Sequence, residues 1–135
     1  MQDSQVQDAI SALEVGATTS AATTGMAKLK VLHREVTRGL PQSDAQEIRV
    51  LVATLEPGDH TPRHSHRFPV TVFMISGQFT LELDGREPVI LSRGDTFIEP
   101  SLVPMTGYNR GQETTTMALF YVSDPDVPFA DAIGA

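Results

Sequence analysis

The sequence of 135 residues contains no cysteine and no tryptophan, and it has few basic residues. Without cysteine the chain has no disulfide, no thiolate metal ligand and no cysteine nucleophile. Ten Lys and Arg residues stand against 17 Asp and Glu residues, which gives a formal net charge of −7 at pH 7. Such a surface repels a phosphate backbone and an anionic membrane, so we expect neither nucleic acid nor a membrane as a partner.

Long apolar runs and a leader signal are also missing. The longer apolar runs, such as residues 70–75, fall far short of the roughly 18 residues of a membrane-spanning helix. Residues 1–6 are polar and lack the basic and apolar regions of a signal peptide. We therefore expect a cytoplasmic protein, and an exported form whose signal peptide has been removed stays open.

The composition is that of a globular protein, with 40% hydrophobic and 20% charged residues. The length allows one domain with one core. A helical spacing of apolar residues covers 4–14, and small polar residues typical of a linker follow it. The predicted organisation is an N-terminal extension (1–25), one domain (26–125) and a C-terminal tail (126–135).

From Met26 onward the sequence shows short runs of alternating apolar residues separated by turn residues such as Pro57-Gly58 and Asp84-Gly85. No helical period occurs among these runs, so the domain is predicted to be all-β, either a sandwich or a closed barrel. The predicted strands are 29–33, 48–54, 60–66, 70–76, 78–84, 88–92, 95–99, 105–109 and 114–122.

His64 and His66 are the first candidates for chemistry. In an extended chain, residues two apart project from the same face with Cα atoms roughly 6.6 Å apart. Two imidazoles at this spacing are able to bind one cation, through bonds of roughly 2.0–2.1 Å. The alternative is a pair of histidines at a surface or a barrel mouth with no ligand.

Two stretches of the chain resemble the signatures of the cupin superfamily. In the first, Gly58 precedes His64 and His66 by the family's spacing and Gly77 follows at the family's second glycine, but Val70 occupies the family's glutamate position. In the second, residues 94–109, the family's glycine, proline and asparagine are matched, while its second glycine and its histidine are replaced. The matched residues are Gly94, Pro100 and Asn109, and the replacements are Leu102 and Met105.

The resemblance implies an antiparallel cupin barrel of jelly-roll type over about residues 28–125, commonly a homodimer, with a metal centre of three histidines and one glutamate. Of that set only His64 and His66 remain. Valine has no donor atom, and a methionine thioether is a soft ligand that suits Cu(I) better than Fe(II), Mn(II) or Zn(II). We expect a divalent transition metal (Fe, Mn, Ni, Cu or Zn) to be held weakly or not at all.

Glu99 is the candidate third ligand, because it ends the predicted strand that leads into the second motif. Pointed inward, it would complete a site of two histidines and one carboxylate, as in non-haem iron oxygenases. Without metal, Glu99 beside His66 would form a general acid/base pair. The alternative is a solvated glutamate at the barrel mouth. His60 lies roughly 20 Å from His66 along an extended chain, and we interpret it as a rim residue.

Apolar residues on these strands predict a pocket suited to a flat or apolar small molecule. The predicted lining is Val70, Val72, Met74, Phe97 and Met105, with Tyr108 nearby. Three functions stay open: a metal-dependent oxygenase, isomerase or lyase with His64, His66 and Glu99 at the metal; a metal-free binding or sensing domain; and a metal-independent acid/base isomerase or cyclase that uses Glu99 and His66.

Overall fold

The computed structural model describes residues 24–134. The chain divides into two units, residues 1–35 and residues 36–135. Of the first unit, residues 24–35 form neither helix nor strand. The strand predicted at 29–33 is therefore wrong, because apolar alternation yields a strand only where the segment joins a sheet. The helix predicted at 4–14 lies outside the described residues.

The described part of the second unit contains nine strands and no helix, which confirms the all-β prediction. No helix in residues 24–134 is long and apolar enough to span a membrane. The strands are β1 (Glu47–Leu55), β2 (His64–Ser65), β3 (Val70–Ser76), β4 (Gln78–Leu83), β5 (Val89–Ser92), β6 (Thr96–Glu99), β7 (Met105–Tyr108), β8 (Thr115–Ser123) and β9 (Asp131–Ala132).

The strands form two antiparallel sheets. The first sheet has the order β1-β8-β3-β6, and the second has the order β5-β4-β7-β2-β9. None of the nine strands described above belongs to both sheets, so hydrogen bonds do not close them into the continuous barrel that the cupin resemblance led us to expect. The arrangement is a jelly roll of two facing sheets, and the predicted fold class is confirmed in that form.

The core lies between the sheets and follows the two-residue period of the strands. On the central strands of the first sheet, every second residue is buried, and β4 contributes the facing apolar side chains of the second sheet. The buried apolar residues of these strands are Val70, Val72 and Met74 on β3, Met117, Leu119 and Tyr121 on β8, and Phe79, Leu81 and Leu83 on β4.

β1 carries apolar residues on both of its faces. The strand predicted from the alternation of Ile48, Val50 and Val52 is confirmed, but these three side chains point away from the core and are largely exposed. Leu51 and Leu55 lie on the inward face instead. The first sheet is therefore apolar on its outer side as well as on its inner side.

Two residues between strands adopt left-handed backbone conformations that shape the site. Gly77, with φ of 76°, lets the chain pass close to β8, where an added Cβ would lie 2.5 Å from Oγ1 of Thr115. Leu102 has φ of 63°, in the region that favours glycine. The amide of Leu102 donates a hydrogen bond to the carbonyl of His66 at 2.7 Å. The turn after β6 is thus attached to the backbone of a candidate site residue.

The C-terminal segment takes part in the second sheet. β9 pairs with β2, in the register His64 with Ala132 and Ser65 with Asp131. The amide of Ile133 also donates to the carbonyl of Arg63 at 2.9 Å. Residues that the sequence assigned to a tail therefore form an edge strand beside the H-x-H pair.

Candidate functional site

β2 places the H-x-H pair at the inner side of the second sheet. β2 lies between β7 and β9, and His64 is paired with Met105 of β7. The rings of His64 and His66 stand edge to face with centroids 4.8 Å apart. Both side chains line the same cavity, as the spacing of two residues predicted.

His66 is held by the C-terminal segment. Its Nδ1 lies 2.7 Å from the carbonyl oxygen of Phe129. A carbonyl oxygen only accepts, so Nδ1 carries the proton and donates it. In a neutral imidazole the other nitrogen, Nε2, then presents a lone pair. The side chain is only 1% exposed, so its environment is set by protein atoms.

Glu99 lies next to the free nitrogen of His66. Glu99 is directly opposite Val70 in the β3–β6 ladder, and its side chain points inward. Its Oε1 is 3.2 Å from Nε2 of His66, and the glutamate side chain is 7% exposed. The two atoms are not aligned for a hydrogen bond, and Nε2 has no hydrogen-bond partner in the described part of the chain. A buried polar atom without a hydrogen bond lowers the stability of the folded protein, and a ligand that supplies the missing hydrogen bond removes this cost. Nε2 is therefore a candidate contact for a ligand.

His64 is oriented in the same way. Its Nδ1 lies 2.7 Å from the carbonyl of Pro62, so this nitrogen donates and Nε2 remains an acceptor. The hydroxyl of Thr61 lies 3.5 Å from the same Nδ1. Both histidines therefore direct Nδ1 to a backbone carbonyl.

The cavity that contains these groups, here called the histidine cavity, has a volume of about 140 Å³. Its wall is mostly apolar, and no Lys or Arg of the described residues lines it. Phe129 closes one side, with its ring centroid 4.7 Å from that of His66. The lining residues are Ala53, Leu55, Thr61, His64, His66, Phe79, Leu81, Glu99, Met117, Leu119 and Phe129.

An ion pair fastens the C-terminal segment over the cavity. Nε and Nη2 of Arg67 donate to the two carboxylate oxygens of Asp131 at 3.0 and 3.1 Å. The hydrogen bond from Arg67 is the main cause that lowers the pKa of Asp131 below its ordinary value. Because Asp131 lies two residues after Phe129, this pair also fixes the carbonyl that orients His66.

Tyr121 is a buried aromatic residue that packs near His66 and Phe129. It is fully buried, and its hydroxyl accepts a hydrogen bond from the amide of Phe68 at 3.3 Å. Its ring packs at 5.2 Å from that of Phe129 and 6.0 Å from that of His66. Burial raises the pKa of this phenol above its ordinary value, although the nearby guanidinium of Arg49 opposes the shift.

The other predicted site residues lie elsewhere. The apolar candidates belong to the packed core or to its edge, and none of them lines the histidine cavity. Tyr108 lines an open surface pocket of about 520 Å³, beneath the guanidinium of Arg110 at 4.0 Å. His60 is exposed, and its backbone forms an isolated antiparallel β-bridge with Tyr108. This agrees with a position at the rim. The candidates placed in the core or at its edge are Val70, Val72, Met74, Phe97 and Met105.

Much of the cavity wall was not found from the sequence. Phe129 was missed because it lies in a Pro- and Asp-rich stretch without a strand pattern. Leu55 was missed because the alternation chosen for β1 was that of the outward face. The signal that would have found Leu55 is the second alternation on β1, Leu51, Ala53 and Leu55, which is equally apolar.

The metal centre implied by the cupin signatures does not fit these residues. Val70 is fully buried and offers no donor, and Met105 offers only a thioether beside His64. Among residues 24–134, no three His, Asp or Glu side chains are grouped so as to hold one ion. The orientation of both Nδ1 atoms toward carbonyls is the arrangement found in metal-binding histidines. A metal at His64, His66 and Glu99 therefore stays a prediction.

Comparison with known proteins identifies the family. The sequence model of the Cupin domain family matches residues 51–122, more than half of the chain, and the chain therefore belongs to the cupin family. No curated protein matches the sequence.

Solved structures show the same fold. A cupin-like protein from Thermotoga maritima is 23% identical with a TM-score of 0.56, over 65% of this chain and 65% of that one. A DMSP lyase from Ruegeria pomeroyi is 19% identical with a TM-score of 0.57, over 63% and 42%. An RmlC-like cupin family protein from Methanocaldococcus jannaschii is 24% identical with a TM-score of 0.52, over 73% and 83%. The chain spans less than two thirds of the length of the first two, and these likenesses establish the fold alone.

Proposed function

We propose that this cupin binds a compact, uncharged organic molecule in the histidine cavity and moves a proton on it, with His66 as the base. The observation that carries the proposal is the buried Nε2 of His66, which has no hydrogen-bond partner among residues 24–134 and lies 3.2 Å from the carboxylate of Glu99. Titratable groups that converge in an otherwise apolar cavity are the ordinary mark of a small-molecule site.

The size and the lining of the cavity define the ligand class. A cavity of about 140 Å³ resembles the roughly 150 Å³ cavity that accommodates benzene in another protein. Within residues 24–134 its wall includes no Lys or Arg to pair with a carboxylate or phosphate ligand, and it offers too few polar groups to satisfy a sugar. A phenol or a small ketone meets these limits, because it is mostly apolar and carries one polar oxygen.

The hydrogen bonds of His66 determine its role. Since Nδ1 donates to Phe129, the neutral ring offers Nε2 as the proton acceptor. A proton taken up at Nε2 makes an imidazolium, and the carboxylate of Glu99 stabilises that charge from 3.2 Å. His64 presents its own Nε2 to the same cavity, where it accepts a hydrogen bond from the hydroxyl of a phenol or of the enol form of a ketone.

The reaction class follows from this proton transfer. On a small ketone, His66 removes a proton from the carbon next to the carbonyl group. The electron pair of the broken C–H bond then moves toward the carbonyl oxygen, which gives an enolate. Return of the proton to another atom of the same molecule completes an isomerisation, and loss of a leaving group from the enolate completes an elimination. One of the solved neighbours is a lyase, which supports an enzymatic function for this fold. The substrate named for that protein is not assigned to this chain.

A metal-dependent enzyme is the second candidate. It is favoured by one observation, that His64 and His66 both donate Nδ1 to backbone carbonyls. In that case both Nε2 atoms and the carboxylate of Glu99 would bind a divalent ion, which would polarise the ligand oxygen. Binding would require the three side chains to move toward one point.

The experiment uses phenol as a binding probe and cyclohexanone as a reaction probe. Ligand-observed NMR is expected to detect binding of both to the wild-type protein. Deuterium uptake at the α-carbon of cyclohexanone in D2O is expected to be faster with the protein than in buffer. His66→Gln keeps an N–H donor for Phe129 and is expected to lower the catalysed rate at least 100-fold, within the usual range for a general base.

Glu99→Gln is expected to lower the rate less than His66→Gln, since it removes only the stabilising charge. Glu82→Gln is the matched control, because Glu82 lies on the outer surface in an ion pair with Arg110, and its rate should equal wild type. Equal rates in all four proteins, or no binding of either probe, would reject the proposal. Loss of activity on dialysis against EDTA, restored by a divalent ion, would instead establish the metal-dependent candidate.

A further inference from the structure

The ring of Phe79 lies on the backbone of Gly107, on the inner side of the second sheet. Phe79 belongs to β4 and Gly107 to the neighbouring strand β7. A Cβ atom added at Gly107 would lie 2.1 Å from Cζ, 2.6 Å from Cε1 and 3.2 Å from Cε2 of the phenylalanine. The end of the ring therefore occupies the space that a side chain at position 107 would need.

Room for this ring is the structural reason for a glycine at position 107. Unlike Gly77, Gly107 does not have a positive φ, so its backbone conformation is open to any residue. The backbone is also fixed in place, because the amide of Gly107 donates to Oγ1 of Thr61 at 2.9 Å and its carbonyl accepts from the amide of Thr61 at 2.8 Å. Gly107 therefore moves away from the ring only by breaking two hydrogen bonds.

The ring of Phe79 closes the end of the histidine cavity that is far from the histidines. The strand registers place Leu83 in the same row as His64. Phe79 comes four residues before Leu83 on β4, which is roughly 14 Å along the strand, and it lines the same cavity as His64. Gly107 lies opposite Leu81, halfway along this distance. A ring that reaches Gly107 leans toward the histidines and shortens the cavity.

We infer that Phe79 and Gly107 together determine the largest molecule that the histidine cavity accepts. Their role rests on the proposed function, which places the ligand in this cavity. With the phenylalanine ring in place, the cavity of about 140 Å³ has room for one six-membered ring, as in the roughly 150 Å³ cavity that accommodates benzene. A ligand whose oxygen contacts His64 and His66 directs its hydrocarbon part toward Phe79. The substrate class is therefore monocyclic, and a fused second ring is excluded by contact with Phe79.

The packing around the ring determines the effect of an added methyl group. Carbon atoms in contact lie about 3.5–4.0 Å apart, so with alanine at position 107 the ring end has to move away from β7 by more than about 1 Å. Phe79 is 3% exposed and belongs to the close-packed core, and the empty space that its ring adjoins is the histidine cavity. The ring would therefore move into the cavity and fill part of it.

The test compares the binding of phenol with that of 1-naphthol, a phenol with a fused second ring, by ligand-observed NMR. The ratio of the affinity for 1-naphthol to that for phenol is expected to rise at least tenfold in Phe79→Ala, which removes the ring. Phe79→Leu removes only the end of the side chain and is expected to give a smaller rise, which keeps the test valid if the alanine variant does not fold. Leu83→Ala is the matched control: Leu83 is buried on the same strand and does not line the cavity, so the ratio should equal that of wild type.

Gly107→Ala changes the cavity in the opposite direction. It is expected to lower the affinity for phenol at least tenfold. The double variant Phe79→Leu with Gly107→Ala should recover most of that affinity, because leucine has no atoms at the positions of Cζ and Cε1. Wild-type affinity for phenol in Gly107→Ala overturns the inference, and so does a wild-type affinity ratio in both single variants of Phe79.

Xenon measures the cavity without the proposed ligands, because it enters apolar cavities of this size. Xenon occupancy, followed by NMR, should be higher in Phe79→Ala than in wild type and lower in Gly107→Ala. This order, with no binding of phenol to wild type, would reject the proposed ligand class and support the role of the pair in setting the size of the cavity. Binding of phenol to wild type, with equal xenon occupancy in the three proteins, would keep the proposed function and overturn the role of the pair.

Discussion

Glu99 lies directly across the β3–β6 ladder from Val70, so this cupin carries its buried carboxylate one strand away from the position of the signature glutamate. Neighbouring strands are about 4.8 Å apart, and the carboxylate is therefore displaced sideways while it still points into the core. From the displaced position it contacts Nε2 of His66 at 3.2 Å. The loss of the signature glutamate thus does not remove a carboxylate from the site.

Restoring the family's ligands should restore affinity for a metal. The double variant Val70→Glu with Met105→His is expected to bind Zn²⁺ or Mn²⁺ at least tenfold more tightly than wild type, about 1.4 kcal/mol. The reason is that Val70 adjoins Glu99 and Met105 adjoins His64 in the strand registers. Competition with a chromophoric chelator measures the affinity. Val72→Glu with Met105→His is the control, and an equal gain there would contradict the prediction.

Leu102→Gly should stabilise the protein. Leu102 replaces the glycine of the second signature but keeps the left-handed conformation, with φ of 63°, which disfavours a side chain. The side chain is 72% exposed, so little packing is lost. We expect a gain of about 0.5–1 kcal/mol in the free energy of unfolding, after the larger chain entropy of glycine is subtracted. Urea denaturation measures it. Leu102→Ala, which retains Cβ, should show no comparable gain.

Acid should loosen the C-terminal segment before it unfolds the rest. The pKa of Asp131 is lowered from its ordinary value of 3.8, first by the hydrogen bond from Arg67. A lowered pKa means that the carboxylate stabilises the fold above about pH 4 and that this contribution is lost as the pH falls through the lowered value. The protection factor of the amide of Ile133, which compares its exchange rate with that of an unprotected amide at the same pH, should therefore fall on acidification.

The variant Asp131→Asn is expected to show fast exchange at Ile133 at neutral pH as well, because its side chain no longer forms an ion pair. Glu82→Gln removes a carboxylate of a different ion pair and serves as the control. If Asp131→Asn exchanges at the wild-type rate at neutral pH, the ion pair with Arg67 does not hold the segment.

Alkali should destabilise the wild type more than Tyr121→Phe. Burial raises the pKa of Tyr121 above its ordinary value of 10.0, so the unfolded chain releases this proton at a lower pH than the folded chain. Stability contributed by the neutral phenol is complete below about pH 10 and is lost as the pH rises toward the raised value. Tyr108 is present in both proteins, so its contribution cancels.

Thermal unfolding between pH 8 and pH 11 measures this difference. At pH 8 the variant Tyr121→Phe should be less stable by about 1 kcal/mol, because the amide of Phe68 loses its acceptor. With rising pH the two curves should converge. Parallel curves over the whole range would show that the phenol titrates alike in the folded and unfolded chain.

The sequence was sufficient to predict most of the strands and the shared side of the two histidines. Short alternating runs with turn residues predicted β1 and β3 to β8 closely, and the two-residue spacing predicted that His64 and His66 share a side. These are local properties of an extended chain, and each depends only on the period of a strand. For Glu99 the sequence left two positions open, an inward one and a solvated one at the barrel mouth, and the side chain is buried.

The remaining features depend on contacts between distant residues. β1 is apolar on both faces, so its alternation does not reveal which face is buried. The packing against the second sheet decides that. β9 has two residues, too few for a period. The contact of His66 with Phe129 joins positions 63 residues apart, and no pattern at either end predicts the other.

The hydrogen bond from His66 to a main-chain oxygen makes the site tolerant of some mutations and intolerant of others. Replacing the ring of Phe129 leaves that oxygen in place and the proton on Nδ1. Inserting one residue between Phe129 and Asp131 would shift that oxygen relative to Asp131 and Ile133, which are held by Arg67 and by the carbonyl of Arg63. The ring would then lose the acceptor of its Nδ1 proton. Substitutions of the Phe129 side chain are therefore compatible with the proposed chemistry, whereas a change of length beside it removes the contact that orients the base.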